Sequence, residues 1–378
     1  MFAMHVKWCV TRNKRIGMLV CSLMIMALFG CSTPKVKQEP VFFPPPPNQP
    51  RVQFLKSISN AKDVEKVESN ILGVIGGKDQ TKTIGKPYGI TFEKGILYVC
   101  DVQRGNVVII DLVKGKFEYL KGNVNFGKLK KPVNVAVDED GAMYVVDTAR
   151  KEILMYDAAG NFIMTYGKGI AKKPVDVAVF AKNLFILDVA ENDIKVIDKK
   201  SGELVRSFGR PEAGKGDEGK NLSIPVNFVI DKNGIIFVTN IGNSTVAKFD
   251  ADGNSLGSFG KLGDAFGEFT RPKGITVDAQ GRIFVVDGGN QNVQIFSDTY
   301  RLLVFFGTPP LKRGALNLPT GIAVTNDNLD FFQKLAEPDF VVEEIVFVAN
   351  QMGDSLISVY GLGHKLSAEP AGDGIPKK

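Results

Sequence analysis

Apolar and polar positions alternate along this chain in short stretches that recur in one order. Each repeat begins at a proline and continues through an apolar segment, a turn that often reads Asp-x-x-Gly, and a second apolar segment ending in Asp or Asn. A third apolar segment follows. Residues 131–168 and 271–308 show this order most plainly. Alternation over a few residues predicts β-strands, and the glycine-containing turns predict tight connections between them.

The repeats are evenly spaced. Six leading prolines mark them, at Pro87, Pro132, Pro174, Pro225, Pro272 and Pro319. A period in the forties built from strands and turns is typical of a β-propeller with one four-stranded blade per repeat. The sequence therefore predicts an all-β, six-bladed β-propeller.

The last repeat lacks a fourth strand, because its apolar pattern stops near residue 361. Residues 51–58, ahead of the first repeat, read as an isolated strand. We expect this N-terminal strand to complete the last blade, which closes the ring and removes a free sheet edge. The predicted propeller then spans residues 51–362, and residues 363–378 form a flexible C-terminal tail.

Residues 1–30 have the features of an export signal. A basic segment precedes an apolar run at residues 16–28 that is too short for a comfortable membrane span. The run ends in Leu-Phe-Gly-Cys, which resembles the lipobox of bacterial lipoproteins. That resemblance implies cleavage before Cys31 and lipidation of this residue; ordinary signal-peptidase cleavage is the alternative.

Residues 31–50 read as the lipidated cysteine followed by a stiff, proline-rich tether. Ser32 resembles the outer-membrane sorting signal of enterobacterial lipoproteins, which implies a lipid-anchored location in the bacterial envelope, facing the periplasm. Removal of the four cations in the signal lowers the formal net charge from +6 to about +2. So balanced a charge does not favour nucleic acid as a partner.

The repeat consensus P-x-G-I-x-V-D-x-x-G-x-[IL]-[YF]-V-x-[DN], over about residues 86–362, resembles the NHL repeat. The second, fourth and fifth repeats match best, the third lacks the Asp/Gly turn, and the sixth carries an insertion at residues 326–344. With the lipobox and tether, the whole chain resembles bacterial NHL-repeat lipoproteins that fold as six-bladed propellers. The motif specifies a fold and leaves the function open.

The Asp or Asn that ends the second strand recurs at one position in every repeat. We interpret these residues as caps that accept backbone N–H groups of the following loop, because a catalytic residue usually breaks the symmetry of a repeat. They are Asp101, Asp147, Asp188, Asn240, Asp287 and Asn350.

The third residue of each innermost strand does break the symmetry: three repeats carry Gly there, and the others carry Asn134, Asp176 and Asn227. Innermost strands line the central channel, so these polar groups are expected on one side of it. Their oxygen atoms suit a small polar ligand or a metal ion such as Ca²⁺. A hydrated channel lining is the alternative.

The insertion at residues 326–344 predicts a brief helix before Pro338, with Phe331, Phe332 and Leu335 on one face. If exposed, this face docks a partner. If it folds inward, it plugs one end of the channel. The sequence leaves both possibilities open.

Motifs for catalysis are scarce. The peptide-amidating lyases, which resemble NHL proteins, use a His-bound metal, whereas this chain has only His5, in the signal, and His364, expected beyond the last strand. Haem-attachment, nucleophile-elbow and P-loop motifs are absent from the sequence. We therefore expect no cofactor, and a non-catalytic scaffold for an envelope protein or complex. Ligand or metal binding in the channel is the alternative, and a hydrolase or lyase is less favoured.

Overall fold

Each of the first five repeats folds into a four-stranded antiparallel sheet whose strands are ordered in space as they are along the chain. The sixth repeat forms a sheet with two N-terminal strands, and the six sheets form a β-propeller. This computed structural model describes residues 39–65, 81–210, 221–311 and 313–366. The predicted signal, Cys31, most of the tether and most of the C-terminal tail lie outside the described residues. Within those ranges, no helix is long and apolar enough to cross a membrane.

Two strands precede the first repeat, β1 (Val41–Phe43) and β2 (Val52–Ile58). Blade 1 contains β3 (Pro87–Glu93), β4 (Ile96–Asp101), β5 (Asn106–Asp111) and β6 (Lys116–Tyr119). Blade 2 contains β7 (Pro132–Val137), β8 (Met143–Asp147), β9 (Glu152–Tyr156) and β10 (Phe162–Tyr166). Blade 3 contains β11 (Pro174–Phe180), β12 (Asn183–Asp188), β13 (Asp193–Asp198) and β14 (Leu204–Phe208).

Blade 4 contains β15 (Pro225–Ile230), β16 (Ile236–Asn240), β17 (Thr245–Phe249) and β18 (Ser255–Phe259). Blade 5 contains β19 (Pro272–Val277), β20 (Ile283–Asp287), β21 (Asn292–Phe296) and β22 (Leu302–Phe306). Blade 6 contains β23 (Pro319–Thr325), helix α1 (Leu329–Gln333), β24 (Phe340–Asn350) and β25 (Ile357–Lys365). Two short 3₁₀ turns, Ala61–Asp63 and Asn125–Gly127, lie in loops.

The N-terminal strand closes the ring as predicted. Strand β2 pairs antiparallel with β25 in blade 6, from Val52 opposite Leu362 to Ile58 opposite Ile357. Blade 6 thereby joins the two ends of the propeller, and the edge of β25 is covered.

Strand β1 adds a fifth strand to blade 6, a region that the sequence predicts as tether. Its Phe43 is buried and lies against the ring of Tyr360, with centroids 6.3 Å apart. The Tyr360 hydroxyl donates a hydrogen bond of 3.0 Å to the Gly314 carbonyl. Burial of the Phe43 ring favours the pairing of β1 with β2 over an extended, solvent-exposed chain. The propeller therefore begins before residue 51.

The last strand is longer than predicted. Strand β25 continues to Lys365, so His364 lies within it, opposite Val341 of β24, and not beyond the last strand. The reason is that β24 is itself extended by the insertion, which offers β25 additional backbone partners. The His364 Nδ1 atom lies 2.8 Å from Glu343 Oε1 on the surface.

The insertion covers the seam between blades 6 and 1. The side chain of Phe332, on α1, is 1% exposed and contacts the Phe347 ring, with centroids 5.9 Å apart. Both rings belong to the apolar cluster shared with Leu97 and Phe117 of blade 1. Because the helix turns this ring into the core, the insertion contributes to ring closure.

Candidate functional site

The strand order places two kinds of connection on opposite faces of the propeller. One face, here called the loop face, carries the loops between blades and the turns between the second and third strands. The other, the turn face, carries the turns between the first and second and between the third and fourth strands. The innermost strands, β3, β7, β11, β15, β19 and β23, neighbour one another around the axis.

The recurrent acids hold the loop face together. Asp147 is fully buried, and its carboxylate accepts backbone N–H groups of Lys130 (2.5 Å), Lys131 (3.1 Å), Ala149 (3.1 Å) and Arg150 (2.9 Å). It thus joins the loop that enters blade 2 to the turn that leaves β8. The same role is filled by Asp101, Asp188 and Asp287. Charge-assisted hydrogen bonds of this kind hold the two loops together, so these acids stabilise the fold.

Asn134, Asp176 and Asn227 come together at the channel. The Asn134 Nδ2 atom donates to Asp176 Oδ1 at 2.5 Å, and the Phe228 N–H donates to Asp176 Oδ2 at 2.7 Å. The Asn227 Oδ1 atom accepts from the Ile275 N–H at 2.9 Å. Each bond crosses from one blade to the next. These polar groups therefore join the innermost strands of blades 2 to 5. Side chains that the sequence predicts as ligand-binding form hydrogen bonds between blades instead.

The carboxyl group of Asp176 is 3% exposed. Burial raises its pKa to about 8, and hydrogen bonds from Phe228, Val177, Asn134 and Asn227 oppose this rise. The group can therefore change its protonation state near neutral pH.

Glycines complete the ring of contacts on the other side of the channel. A Cβ atom at Gly274 would collide with the Thr320 carbonyl, and one at Gly321 would collide with the Tyr88 carbonyl. The absent side chains allow the backbones of blades 5, 6 and 1 to approach closely. We call the six residues at this level the channel belt: Gly89, Asn134, Asp176, Asn227, Gly274 and Gly321.

A cavity of about 240 Å³ extends along the innermost strands from the channel belt. Most residues that line it are apolar or small, with Thr91 and Thr276 as further polar positions, but polar atoms make up most of the wall surface. Among the described residues, Asp176 is the one ionisable group that lines it. A volume of this size holds several waters or a small solute.

The predicted docking residues of the insertion do not form an exposed face. Phe332 is buried, so it is not available to a partner, and Phe331 lies against it with centroids 5.1 Å apart. Leu335 is 37% exposed. Phe332 is therefore excluded from a docking face, whereas docking through Phe331 and Leu335 stays a prediction. The described residues that line the central cavity come from the innermost strands and include none of the helix.

Large apolar side chains are instead exposed on the loop face. Phe126 is 84% exposed, Phe266 is 76% exposed and Leu262 is 71% exposed. Phe126 lies in the loop between blades 1 and 2, whereas Leu262 and Phe266 lie in the loop between blades 4 and 5, where Phe266 packs on Phe305 of the outermost strand β22. These residues were not predicted from the sequence, because exposure cannot be read from a loop sequence.

The loop face is also basic. The residue immediately before the leading proline is Lys86, Lys131, Lys173 or Arg271 in four of the six blades. The loop at residues 120–131 holds four lysines and no acid, and the loop at residues 167–173 holds three lysines and no acid. The Asp-x-x-Gly turns lie on the turn face. Positive charge is thus concentrated in the loops at residues 120–131 and 167–173, whereas the loop at residues 260–271 carries both Asp264 and Glu268 beside its cations.

One cluster of acids has the spacing of a metal site but is already neutralised. Asp188, Glu191 and Asp193 lie together in blade 3. The Lys195 Nζ atom lies 2.6 Å from Glu191 Oε2 and 3.0 Å from Asp193 Oδ2. Arg210 also pairs with both acids. Hydrogen bonds from Lys172 and Lys195 lower the pKa of Glu191 to about 2. These contacts describe an ion-pair network.

Comparison with known proteins identifies the repeat and the fold. A family model described as NHL repeat matches residues 269–296, in blade 5. A gluconolactonase from Xanthomonas campestris is 16% identical, with a TM-score of 0.53, over 82% of this chain and 98% of that chain.

Two further solved structures are similar. A protein of unknown function from Bacteroides thetaiotaomicron is 17% identical, with a TM-score of 0.55, over 83% of this chain and 76% of that chain. A streptogramin B lyase is 14% identical, with a TM-score of 0.50, over 76% and 85%. At these identities the similarity shows the propeller fold alone.

Proposed function

We propose that this protein is a non-catalytic, lipid-anchored envelope propeller whose loop face binds an acidic surface of another envelope protein. The observation that carries the proposal is the exposure of Phe126, Leu262 and Phe266 on the face that also carries the basic loops. Exposed aromatic side chains are frequent energetic centres of protein interfaces.

The position of these residues favours a partner of protein size. Phe126 belongs to the loop between blades 1 and 2, and Phe266 packs on Phe305 of the outermost strand of blade 5, so a partner that contacts both must reach across the loop face. Stable interfaces bury on the order of 800 Å² per partner, which a propeller face can supply. The four lysines in the loop of Phe126, at residues 120–131, favour an acidic partner on that side, because complementary charge accelerates association and disfavours wrong partners.

Site-specific photo-crosslinking in native membranes tests the proposal. A photoreactive residue at Phe126 or Phe266 should capture one defined acidic envelope protein. The matched control is Val113, which is 44% exposed on the turn face and should not capture it. The double variant Phe126→Ser/Phe266→Ser, with the crosslinker at Leu262, should lose the capture. Equal capture from both faces would contradict the proposal.

A second candidate function is binding of a small ligand in the channel, favoured by the cavity of about 240 Å³. It is less well supported, because the polar atoms of Asn134, Asp176 and Asn227 are engaged between blades. A bound solute that is lost in Asp176→Ala would favour this candidate. We propose no catalytic role, because the polar side chains at the channel are engaged in hydrogen bonds between blades.

A further inference from the structure

Strand β1 is not needed to close the propeller. Strand β2 already gives blade 6 the fourth strand that each of the other blades has, and β1 adds a fifth along the outer edge. Phe43 contacts Phe306 of blade 5, with ring centroids 6.1 Å apart. Phe42, on the opposite side of β1, contacts Phe340 of blade 6, with centroids 5.7 Å apart. Strand β1 is thus packed on both sides, and it fixes the chain to the outer edge of blade 6.

This packing shortens the free part of the tether. A chain spans at most about 3.5 Å per residue, so a tether that is free up to Arg51 would let the body lie about 70 Å from a lipidated Cys31. The docked chain instead begins at Pro40, nine positions after Cys31. Its reach is about 32 Å. Docking of β1 therefore removes more than half of the reach.

So short a tether limits how the propeller can lie on a membrane. A folded body of about 320 residues has a radius of gyration of about 20 Å and is therefore about 50 Å wide. This width exceeds the reach of the docked tether. Under the proposed lipidation, the edge of blade 6 stays near the bilayer, and the edge of blade 3, on the opposite side of the ring, cannot take its place.

The edge of blade 6 is uncharged and partly apolar. Residues 40–50 contain no charged side chain, and the turn from β1 to β2 exposes three prolines at residues 45–47. Leu366, immediately after β25, is 53% exposed. The outermost strand of blade 1, by contrast, exposes Lys116 and Glu118. Groups without charge lose far less hydration free energy than ions when they leave water, so the edge of blade 6 is suited to contact with lipid.

Two cations border this uncharged surface. Arg51 is exposed at the end of the turn, and the Lys365 Nζ atom lies 5.5 Å from the centroid of the Phe42 ring. Asp339 pairs with Lys365 at 2.9 Å, but both side chains are about half exposed, so this ion pair is weak. Cations beside apolar groups favour anionic lipids, because the apolar groups enter the interface while the charges stay among the head groups.

We propose that the rim of blade 6 rests on the surface of an anionic lipid membrane. This rim comprises Phe42, residues 44–50, Lys365 and Leu366. The inference rests on the lipid anchor of the proposed function and adds an orientation to it. The turn at residues 44–50 lies on the turn face, because β2 runs from that face to the loop face. Contact through this rim directs the loop face away from the bilayer, towards a protein partner.

Fluorescence quenching in vesicles tests this orientation. The lipidated protein is reconstituted into vesicles of phosphatidylethanolamine and phosphatidylglycerol that contain a lipid with a spin-labelled head group. A fluorophore is attached to Asn48→Cys, on the rim of blade 6, or to Val205→Cys, at a position 52% exposed on the outermost strand of blade 3. Cys100 is fully buried and does not compete for the label. Quenching should be severalfold stronger for Asn48→Cys than for Val205→Cys.

Failure of the orientation and failure of the anchor give different results. Equal quenching of the two labels on an acylated, vesicle-bound protein would overturn the orientation and leave the anchor intact. An unacylated protein that does not bind the vesicles would overturn the anchor, and the orientation with it.

Charge added to the rim separates lipid contact from the reach of the tether. Pro45→Asp/Pro47→Asp should reduce quenching of the label at Asn48→Cys severalfold, because two acids are repelled by anionic head groups. The matched control is Leu204→Asp, at a position 47% exposed on blade 3, which should leave this quenching unchanged. Thermal unfolding checks that the variants remain folded. Unchanged quenching in Pro45→Asp/Pro47→Asp would mean that the tether alone holds the rim near the membrane, and would overturn the contact.

Discussion

Asn134 and Asp176 connect the innermost strands of blades 2 and 3 through a hydrogen bond of 2.5 Å between Asn134 Nδ2 and Asp176 Oδ1. The other Asp176 oxygen accepts the Phe228 N–H of blade 4. One carboxyl group therefore joins three consecutive blades at the channel. A buried group with several partners stabilises the assembly only while its protonation state suits those partners.

The first prediction concerns pH. The pKa of Asp176 is about 8 in the folded protein and near 3.9 in the unfolded chain, so the folded state holds a proton that the unfolded state loses between these values. The stability due to this proton is fully present below about pH 4 and is lost as the pH rises towards 8. Each pH unit lowers the free energy of unfolding by at most about 1.4 kcal/mol.

Asp176→Asn removes this titration, so its Tm should decrease less than that of the wild type between pH 5 and pH 8.5. Thermal unfolding followed by circular dichroism measures the difference. Asp140→Asn, which changes an exposed acid of the turn face, should follow the wild type. Parallel pH profiles for the wild type and Asp176→Asn would show that Asp176 does not titrate in this range.

The second prediction concerns the insertion. Phe332→Ala should lower the free energy of unfolding by about 3–5 kcal/mol, because it leaves a cavity at the seam between blades 6 and 1. Leu335→Ala, on the exposed side of the same segment, should cost less than about 1 kcal/mol. Urea denaturation measures both. Equal effects would mean that the helix does not pack on this seam.

The third prediction concerns the caps. Asp147→Ala should destabilise the protein by roughly 3 kcal/mol, because it leaves several partly buried backbone N–H groups of two loops without their acceptor. Asp140→Ala should change stability by less than about 0.5 kcal/mol. Denaturant titration compares the two variants. A small effect of Asp147→Ala would indicate that water replaces the carboxylate.

The fourth prediction concerns the anchor. Under the proposed lipidation, Cys31→Ala should release the protein from the membrane fraction, because the acyl chains supply the anchoring free energy. Fractionation and mass spectrometry of the N-terminal peptide measure retention and acylation. Tight membrane retention of an unacylated variant would contradict the lipobox interpretation.

The repeats predict the blades well because their information is local. A proline fixes φ at the start of each innermost strand, and Asp-x-x-Gly sequences such as residues 138–141 form turns with little help from the rest of the molecule. The prediction that residues 51–58 complete blade 6 is confirmed by the pairing of β2 with β25. It could be made from the sequence because the last repeat lacks a fourth strand, and a closed ring needs that strand. Strand β1 was not predicted, since three residues carry too little pattern.

The candidate site could be predicted only in part. Asn134, Asp176 and Asn227 were identified because they depart from the repeat, and they do lie together. Their bonds across blades could not be read from the sequence, because they depend on how closely neighbouring blades approach. The basic positions of the loop face had a visible signal in the sequence, because Lys or Arg stands immediately before the leading proline in four of the six blades.

The sequence by itself determined the number of blades, their strand order and the closure of the ring, because strand alternation and turn chemistry act over a few residues and recur. Only the tertiary structure decided that Phe332 is buried while Phe126 and Phe266 are exposed, and that Asn134, Asp176 and Asn227 are engaged between blades. These properties depend on distances between loops and blades that lie far apart along the chain, and only the closed ring sets those distances.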